Sequence, residues 1–147
     1  MAIKRKVTAE WKGKGTEGSG SLNSSNQFFN NTPYSFKGRF ENEDGKLGTN
    51  PEELIAAAHS GCYAMALSIA VAKAGFTPDL LKVEAVVTLD QTEGGFSITG
   101  IQLNLEAKVP GITAAQFDEL ANGAKAGCPV SKALAATPIT LSIQFTA

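Results

Sequence analysis

The sequence predicts an α+β fold, and three observations carry that prediction. Runs in which every second residue is apolar stand near both ends of the chain and in a pair beyond its middle, the pattern of strands. Between them lies a stretch of about twenty almost wholly apolar residues, opening after Asn50-Pro51 and closing at Gly75, the pattern of one long helix. The resulting order is strands, long helix, hairpin, helices, strand, which differs from the regular strand–helix alternation of a parallel sheet. With 147 residues, 43% hydrophobic and 18% charged, the chain is long and apolar enough for one core. It carries no internal repeat, low-complexity tract or linker, so a single domain over residues 1–147 is expected.

Ile3, Val7, Ala9 and Trp11 alternate with Lys4, Lys6, Thr8 and Glu10, interrupted by Arg5 on the apolar side, and predict a half-buried strand over residues 3–11. Gly13, Gly15, Gly18 and Gly20 follow among polar residues. No helix pattern comes after them, so they suit a loose hairpin better than a phosphate-cradling loop. Tyr34, Phe36, Gly38 and Phe40 share one face of a second predicted strand, leaving Arg39 on the polar face. Residues 41–48, with Asp44-Gly45 and Gly48, read as a loop.

Asn50 as cap, Pro51 at the first helical position and Glu53 at the third make a helix start, which assigns Glu53 a capping role and leaves Glu52 free for another. The helix runs to Ala74 and stops at Gly75, with Pro78 just beyond. Its length would cross a bilayer. Ala, Gly and Ser dominate it, however, with His59 near one end and Lys73 near the other, and the strands need a helix to cover them. A central helix buried on most sides, able to approach another helix or a partner subunit closely, is the expectation. Leu80–Asp90 and Phe96–Val109, joined through Thr92-Glu93-Gly94-Gly95, predict a long antiparallel hairpin. Thr113 caps a helix that Gly127-Cys128-Pro129 breaks. A short helix from Val130 to about Ala136 and a strand over Pro138–Phe145 close the chain.

Thirteen Lys+Arg against fourteen Asp+Glu give a net charge of −1, so no electrostatic field calls for nucleic acid or an anionic membrane, and a small partner is expected. Two cysteines are too few to staple a secreted fold, and Met1 to Lys6 lead into no apolar run of signal-peptide length. A reducing, cytoplasmic location is expected. One histidine and two cysteines resemble no zinc finger or ribbon, and neither a nucleophile elbow nor a dinucleotide fingerprint is present.

The two cysteines remain. A free cysteine often packs as a small hydrophobe, and that is the bland reading of each. Cys128, however, precedes Pro129 at a helix start, where unpaired N–H groups favour a thiolate. Cys62 lies in the apolar helix, whose surroundings alone would raise its pKa, so a reactive Cys62 needs a cation, and Arg39 is the candidate nearest in sequence. His59, one turn before Cys62, either hydrogen-bonds near such a site or fills a core pocket.

Thr49-Asn50-Pro51-Glu52-Glu53-Leu54-Ile55-Ala56-Ala57-Ala58-His59-Ser60-Gly61-Cys62 with Ala64-Met65-Ala66-Leu67, and Ala126-Gly127-Cys128-Pro129-Val130-Ser131, resemble the two cysteine motifs of the OsmC/Ohr family of organic hydroperoxide reductases. Tyr34 to Phe40 resembles the family's arginine-bearing strand. Ala74-Gly75-Phe76-Thr77-Pro78 and Val109-Pro110-Gly111-Ile112 resemble its OsmC branch. The resemblance spans nearly the whole chain and fits least well from Gly13 to Ser25.

It implies a thiol peroxidase without haem, flavin or metal, built as an intertwined homodimer with two long helices in the middle and antiparallel sheets wrapped outside. Carried over by position, Cys62 resembles the peroxidatic cysteine, Cys128 the resolving one, Arg39 the activating arginine and Glu52 its carboxylate partner. The resulting Cys62–Cys128 disulfide would be reduced by an external dithiol, of lipoyl type in the family. Phe28, Phe29, Phe36, Phe40 and Tyr63 are candidates for an apolar lining that favours organic hydroperoxides, each with a place in the core as its plainer role.

Glu52 and Cys62 are ten residues apart, so an unbroken helix would separate their backbones by about 15 Å. Either the helix distorts near Gly61 or Glu52 serves a partner subunit's site, and the second is expected. Two rivals to the enzyme use the same residues differently. A peroxide-sensing switch would form the same disulfide, and a dimeric apolar-ligand carrier would need neither thiol.

Overall fold

A computed structural model describes residues 1–43 and 46–147, so the expected Asp44-Gly45 turn lies outside the described residues. The chain forms two compact units, Met1–Pro51 and Glu52–Ala147. In the first, β1 (Val7–Lys12), β2 (Ser19–Ser24) and β3 (Thr32–Ser35) pair antiparallel in the order β1-β2-β3. The hairpin expected of the glycine-rich stretch is there, and close approach explains its glycines. A Cβ on Gly18 would stand 2.6 Å from the Trp11 indole, and one on Gly20 2.3 Å from the Glu10 carbonyl oxygen and 2.6 Å from the Tyr34 ring. Trp11 and Tyr34 can therefore meet across the sheet, their ring centroids 5.4 Å apart. β1 starts at Val7 rather than Ile3, and all six of its residues are exposed in the single chain, so its alternation does not mark a buried face there.

The strand expected over Tyr34–Phe40 is corrected. β3 ends at Ser35, and Phe36–Phe40 form a short helix, α1. Phe36 and Phe40 lie four residues apart, a spacing that puts two residues on one side of a strand and equally on one side of a helix. Two local interactions decide for the helix. The Ser35 hydroxyl caps it by accepting from the Gly38 N–H at 2.9 Å, and the two phenyl rings meet at 4.7 Å. Gly38 is buried where a Cβ would stand 2.8 Å from the Leu47 carbonyl oxygen. Arg39 therefore leaves a helix rather than a sheet.

In the second unit α2 (Pro51–Lys73) starts at Pro51, as its capping sequence predicts. Its end is a Schellman turn: Gly75 has φ +91°, its N–H donates to the Ala72 carbonyl at 3.0 Å, and the Phe76 N–H donates to the Val71 carbonyl at 3.2 Å. β4 (Leu80–Thr92) and β5 (Gly95–Lys108) make the predicted antiparallel hairpin. α3 (Ala114–Gly127) opens with a complete capping box, in which Thr113 and Gln116 satisfy each other's backbone N–H groups. α4 (Pro129–Ala133) is shorter than expected, and β6 (Ile139–Thr146) completes the sheet β4-β5-β6.

β6 runs parallel to β5, so this sheet is mixed, while β1-β2-β3 and the β4–β5 pair have the expected antiparallel arrangement. The physical reason is the connection: β5 and β6 are joined through α3 and α4, a helical crossover long enough to bring the chain back in the same direction. The core gathers Ile101, Leu103, Leu105 and Ala107 from alternate positions of β5, together with side chains of α2 and α3. Each large apolar side chain fully buried in this way contributes about 1.5–3 kcal/mol.

α2 is the expected central helix, and the single chain covers one side of it. Only His59, Tyr63, Leu67 and Val71, a stripe at every fourth position, are buried in the single chain. On the opposite side Gly61, Met65 and Ile69 are exposed, Met65 at 67%. α2 is long and apolar enough to cross a membrane by length and composition. Its buried stripe nevertheless joins the same core cluster as β5 and α3, the arrangement of a helix covering a sheet.

Candidate active site

Cys62 and Cys128, 66 positions apart in sequence, bring their sulfurs to 3.0 Å, and both thiols are free. Cys62 comes from the middle of α2, one residue before buried Tyr63, and is partly exposed. Cys128 is held between two helices, and the sequence explains how. Pro129 has no N–H and disfavours a helical conformation in the residue before it, so Cys128 adopts φ −58°, ψ 127°. Its N–H still donates to the Ala124 carbonyl at 2.9 Å, ending α3, while its carbonyl accepts from the Lys132 N–H at 3.0 Å, starting α4. The side chain is thereby fixed inside the core at 0% exposure.

The two thiols differ in acidity. Burial pushes Cys62 up, and its hydrogen bond with Cys128 adds to the rise. Burial would raise Cys128 as well, but the Cys62 thiol, the N–H groups of Ser131 and Val130 and the Ser131 hydroxyl outweigh it and hold Cys128 below its ordinary value. None of these donors closes a side-chain cap of full hydrogen-bond geometry at Cys128. Their effect is the sum of several oriented dipoles on one sulfur. Within this unit Cys128 is therefore the more acidic thiol and Cys62 the more accessible one.

The surroundings are a polar thread in an apolar core. His59 is fully buried, and its Nε2 lies 2.7 Å from the hydroxyl of Ser131, itself buried. Burial lowers the His59 pKa, so the ring is neutral near pH 7. Tyr63 donates to the Ala121 carbonyl at 3.0 Å, tying α2 to α3, and burial pushes its phenol well above the ordinary range. Ser131 is the participant that sequence reasoning missed. Its position three residues after the helix-starting cysteine, where an N3 side chain faces back toward its cap, is the signal that points to it.

The other expected site residues fall as follows. Glu52 lies in the first turn of α2, and α2 runs to Lys73 without a break, so the expected alternative of a distortion near Gly61 is not seen. Glu52 and Cys62 of one chain are thus separated by about 15 Å of helix. Arg39 belongs to the first unit, where its guanidinium carbon lies 5.0 Å from the centroid of the Phe40 ring, a cation–π arrangement. It lines a groove of about 260 Å³ with Trp11, Tyr34, Phe36, Phe40 and Pro51. Of the aromatic candidates, Phe36 and Phe40 thus accompany Arg39, and Tyr63 is core. Phe28 and Phe29 stack edge to face on each other at 5.1 Å beside Lys4, Arg5 and Lys6. Among the described residues no group of three or more His, Cys, Asp and Glu side chains is arranged to hold a metal ion.

Two free thiols in contact at the edge of an α+β core, one open to solvent and one sealed, define a two-cysteine redox site as the class. Residues 43–144 match the family model described as OsmC-like protein, and the chain belongs to that family. It is 48% identical over 145 residues to the peroxiredoxin OsmC of Escherichia coli (strain K12), with 99% of each chain covered. It is 38% identical over 93 residues to the organic hydroperoxide resistance protein OhrB of Bacillus subtilis (strain 168), covering 62% of this chain and 65% of that one. The crystal structure of Bacillus subtilis OhrB superposes with a TM-score of 0.72 at 27% identity, covering 97% of this chain and 98% of the other.

Proposed function

We propose that this chain is a thiol-dependent peroxidase that reduces organic hydroperoxides to alcohols, with Cys62 the peroxidatic and Cys128 the resolving cysteine. The observation that carries the reading is the 3.0 Å approach of the two sulfurs, within about 1 Å of a disulfide bond length, in a chain whose relatives are named peroxiredoxin and organic hydroperoxide resistance protein. Accessibility supports the assignment of roles: a hydroperoxide can reach Cys62, which is partly exposed, but not Cys128, which is sealed.

In the first step the Cys62 thiolate attacks the distal peroxide oxygen and the O–O bond breaks. The alkoxide takes a proton and leaves as alcohol, and Cys62 is left as a sulfenic acid. In the second step the Cys128 thiolate attacks the Cys62 sulfur, the S–O bond breaks, and the oxygen leaves as water with the proton that Cys128 gave up. An external dithiol then reduces the disulfide by exchange, a turnover suited to a reducing compartment such as the cytoplasm. Because burial raises Cys62, the first step needs a cation, and Arg39 takes that role: its guanidinium stabilises the negative charge that develops on the leaving oxygen.

Glu52 is the carboxylate that holds Arg39. The continuity of α2 supports its acting in a partner subunit's site, and the apolar stripe of Gly61, Met65 and Ile69 supports α2 as the face on which two copies pair. The decisive assay follows cumene hydroperoxide consumption with dithiothreitol or dihydrolipoamide in wild type, Cys62→Ser and Cys128→Ser. Cys62→Ser is expected to lose turnover, and turnover that survives it overturns the reading.

A further inference from the structure

We propose that His59 is a positioning residue for the resolving thiol: through Ser131 it orients a hydrogen-bond donor onto the Cys128 sulfur. The proposal rests on the assignment of Cys128 as the resolving cysteine and adds the group that prepares it.

The geometry runs in one direction. His59 and Ser131 are 72 positions apart, both buried, and joined at 2.7 Å. The other ring nitrogen, Nδ1, is also buried and has no hydrogen-bond partner among the described residues. The ring carries a single proton, so one of two tautomers is present. If the proton sat on Nδ1, an N–H would be buried without an acceptor, a rarer and costlier arrangement than a buried lone pair. The proton therefore sits on Nε2, and Nε2–H donates to Ser131 Oγ. That occupies a lone pair of the hydroxyl and leaves its proton for another acceptor. Cys62 follows His59 by three residues on α2 and Ser131 follows Cys128 by three at the start of α4, so the His59–Ser131 and Cys62–Cys128 contacts lie side by side, and the Cys128 sulfur, whose pKa the Ser131 hydroxyl lowers, is the acceptor it serves.

The result is a chain of donors, His59 Nε2–H to Ser131 O–H to Cys128 Sγ, in which each bond polarises the next within a core that excludes water. Cys62 and Tyr63 of α2 are the titratable groups that act on the same sulfur. Cys62 lowers the Cys128 pKa through their shared hydrogen bond, and a Cys128 thiolate in turn raises the Tyr63 phenol. A histidine that merely filled space would not need Nε2 aimed at a buried hydroxyl one helical turn from the reacting thiol.

The chemical consequence is a slower second step without a slower first one, because a Cys128 that holds its proton more firmly no longer raises the Cys62 pKa. Cys128 must be a thiolate to attack the Cys62 sulfenic acid, and the donor chain raises the thiolate fraction without touching the peroxide. Losing it should slow disulfide formation about fivefold, the factor for one hydrogen bond of ordinary strength, and leave the first step no slower. A sulfenic acid that waits longer is also oxidised further to sulfinic acid when hydroperoxide is in excess.

The experiment has three readouts on the full-length protein. Because His59 is the only histidine, ¹⁵N spectra of the imidazole report its tautomer directly in the wild type. Protonated Nε2 with bare Nδ1 is expected, and protonated Nδ1 overturns the proposal. In a Cys62→Ser background, where Cys128 is the one cysteine left, the pH midpoint of its thiolate ultraviolet absorbance, which needs no reagent to reach the sealed sulfur, should rise by about half a unit or more with His59→Leu or Ser131→Ala, and return toward wild type with His59→Gln and Ser131→Thr, which keep a donor. After one equivalent of cumene hydroperoxide, dimedone should trap several-fold more Cys62 sulfenic acid in His59→Leu and Ser131→Ala than in wild type, with the first equivalent of alcohol released no more slowly. Wild-type midpoints and wild-type trapping in a folded His59 variant overturn the proposal. If His59→Leu does not fold, the tautomer and the Ser131→Ala midpoint decide it. Failure of the peroxidase reading would show separately, as a wild type that forms no Cys62–Cys128 disulfide, and the thiolate absorbance midpoints would still decide whether the donor chain exists.

Discussion

Cys62 stands where its environment opposes its reactivity, because burial and a neighbouring thiol both favour its protonated form. The charge that reverses this is assigned to Arg39. Arg39→Ala is expected to raise the Cys62 pKa further and slow the peroxide step at least tenfold, because a desolvated thiolate without a compensating cation costs several kcal/mol and the group protonates instead. A pH titration of Cys62 alkylation in both proteins checks it, and identical curves remove Arg39 from the mechanism. His59 gives a second prediction at this scale. Burial holds its pKa below the ordinary 6.5. The unfolded chain then binds the proton first as pH falls, so stability is fully present above about pH 6.5, declines below it, and levels off under the folded-state pKa. Urea unfolding at about pH 7.5 and about pH 5 should show a larger loss in wild type than in His59→Gln, which has no imidazole to protonate.

The elements owe their boundaries to a few backbone decisions. Pro51 starts α2, Gly75 ends it, and Pro129 separates α3 from α4 around Cys128. At Gly75 the left-handed φ of +91° is the whole constraint, since a Cβ there would meet nothing within 4 Å. Gly75→Ala should therefore lower unfolding free energy by about 1–2 kcal/mol with no loss of peroxidase activity, as measured by urea denaturation and the cumene hydroperoxide assay. α1 is the element where pattern reading misled. Alternating aromatics at Tyr34, Phe36 and Phe40 satisfy a strand, yet the cap from Ser35 and the ring contact of Phe36 with Phe40 are satisfied only by a helix. Hydrophobic spacing of four residues is common to both periods, so the local hydrogen bond had to decide.

For the molecule as a whole, the unbroken α2 keeps Glu52 and Cys62 of one chain about 15 Å apart, and the proposed site is completed by a second copy. Cys62→Ser and Glu52→Ala chains, each inactive alone, should recover roughly a quarter of wild-type activity when unfolded together and refolded. Half of randomly paired dimers are mixed, and each mixed dimer has one native site of two. Mixed dimers verified by mass spectrometry yet without activity would place Glu52 in its own subunit's site. The same pairing would cover Met65 and Ile69, which are exposed in the single chain.

The sequence by itself determined the class of fold, the long helix with both its ends, the β4–β5 hairpin, the capped α3, and the two cysteines as the chemically distinctive residues. These depend on interactions between residues close in the chain, where caps, proline, glycine and periodicity act. It could not determine that β6 runs parallel to β5, which stripe of α2 meets the core of its own chain, or that Phe36–Phe40 coil into a helix. Above all, only the tertiary structure brings Cys128 to 3.0 Å from Cys62 and Ser131 to 2.7 Å from His59. Those pairs are separated by 66 and 72 positions, and their contact, with the acidity it confers on Cys128, is set by how α2 and the α3–α4 corner pack into one core, which no local pattern encodes.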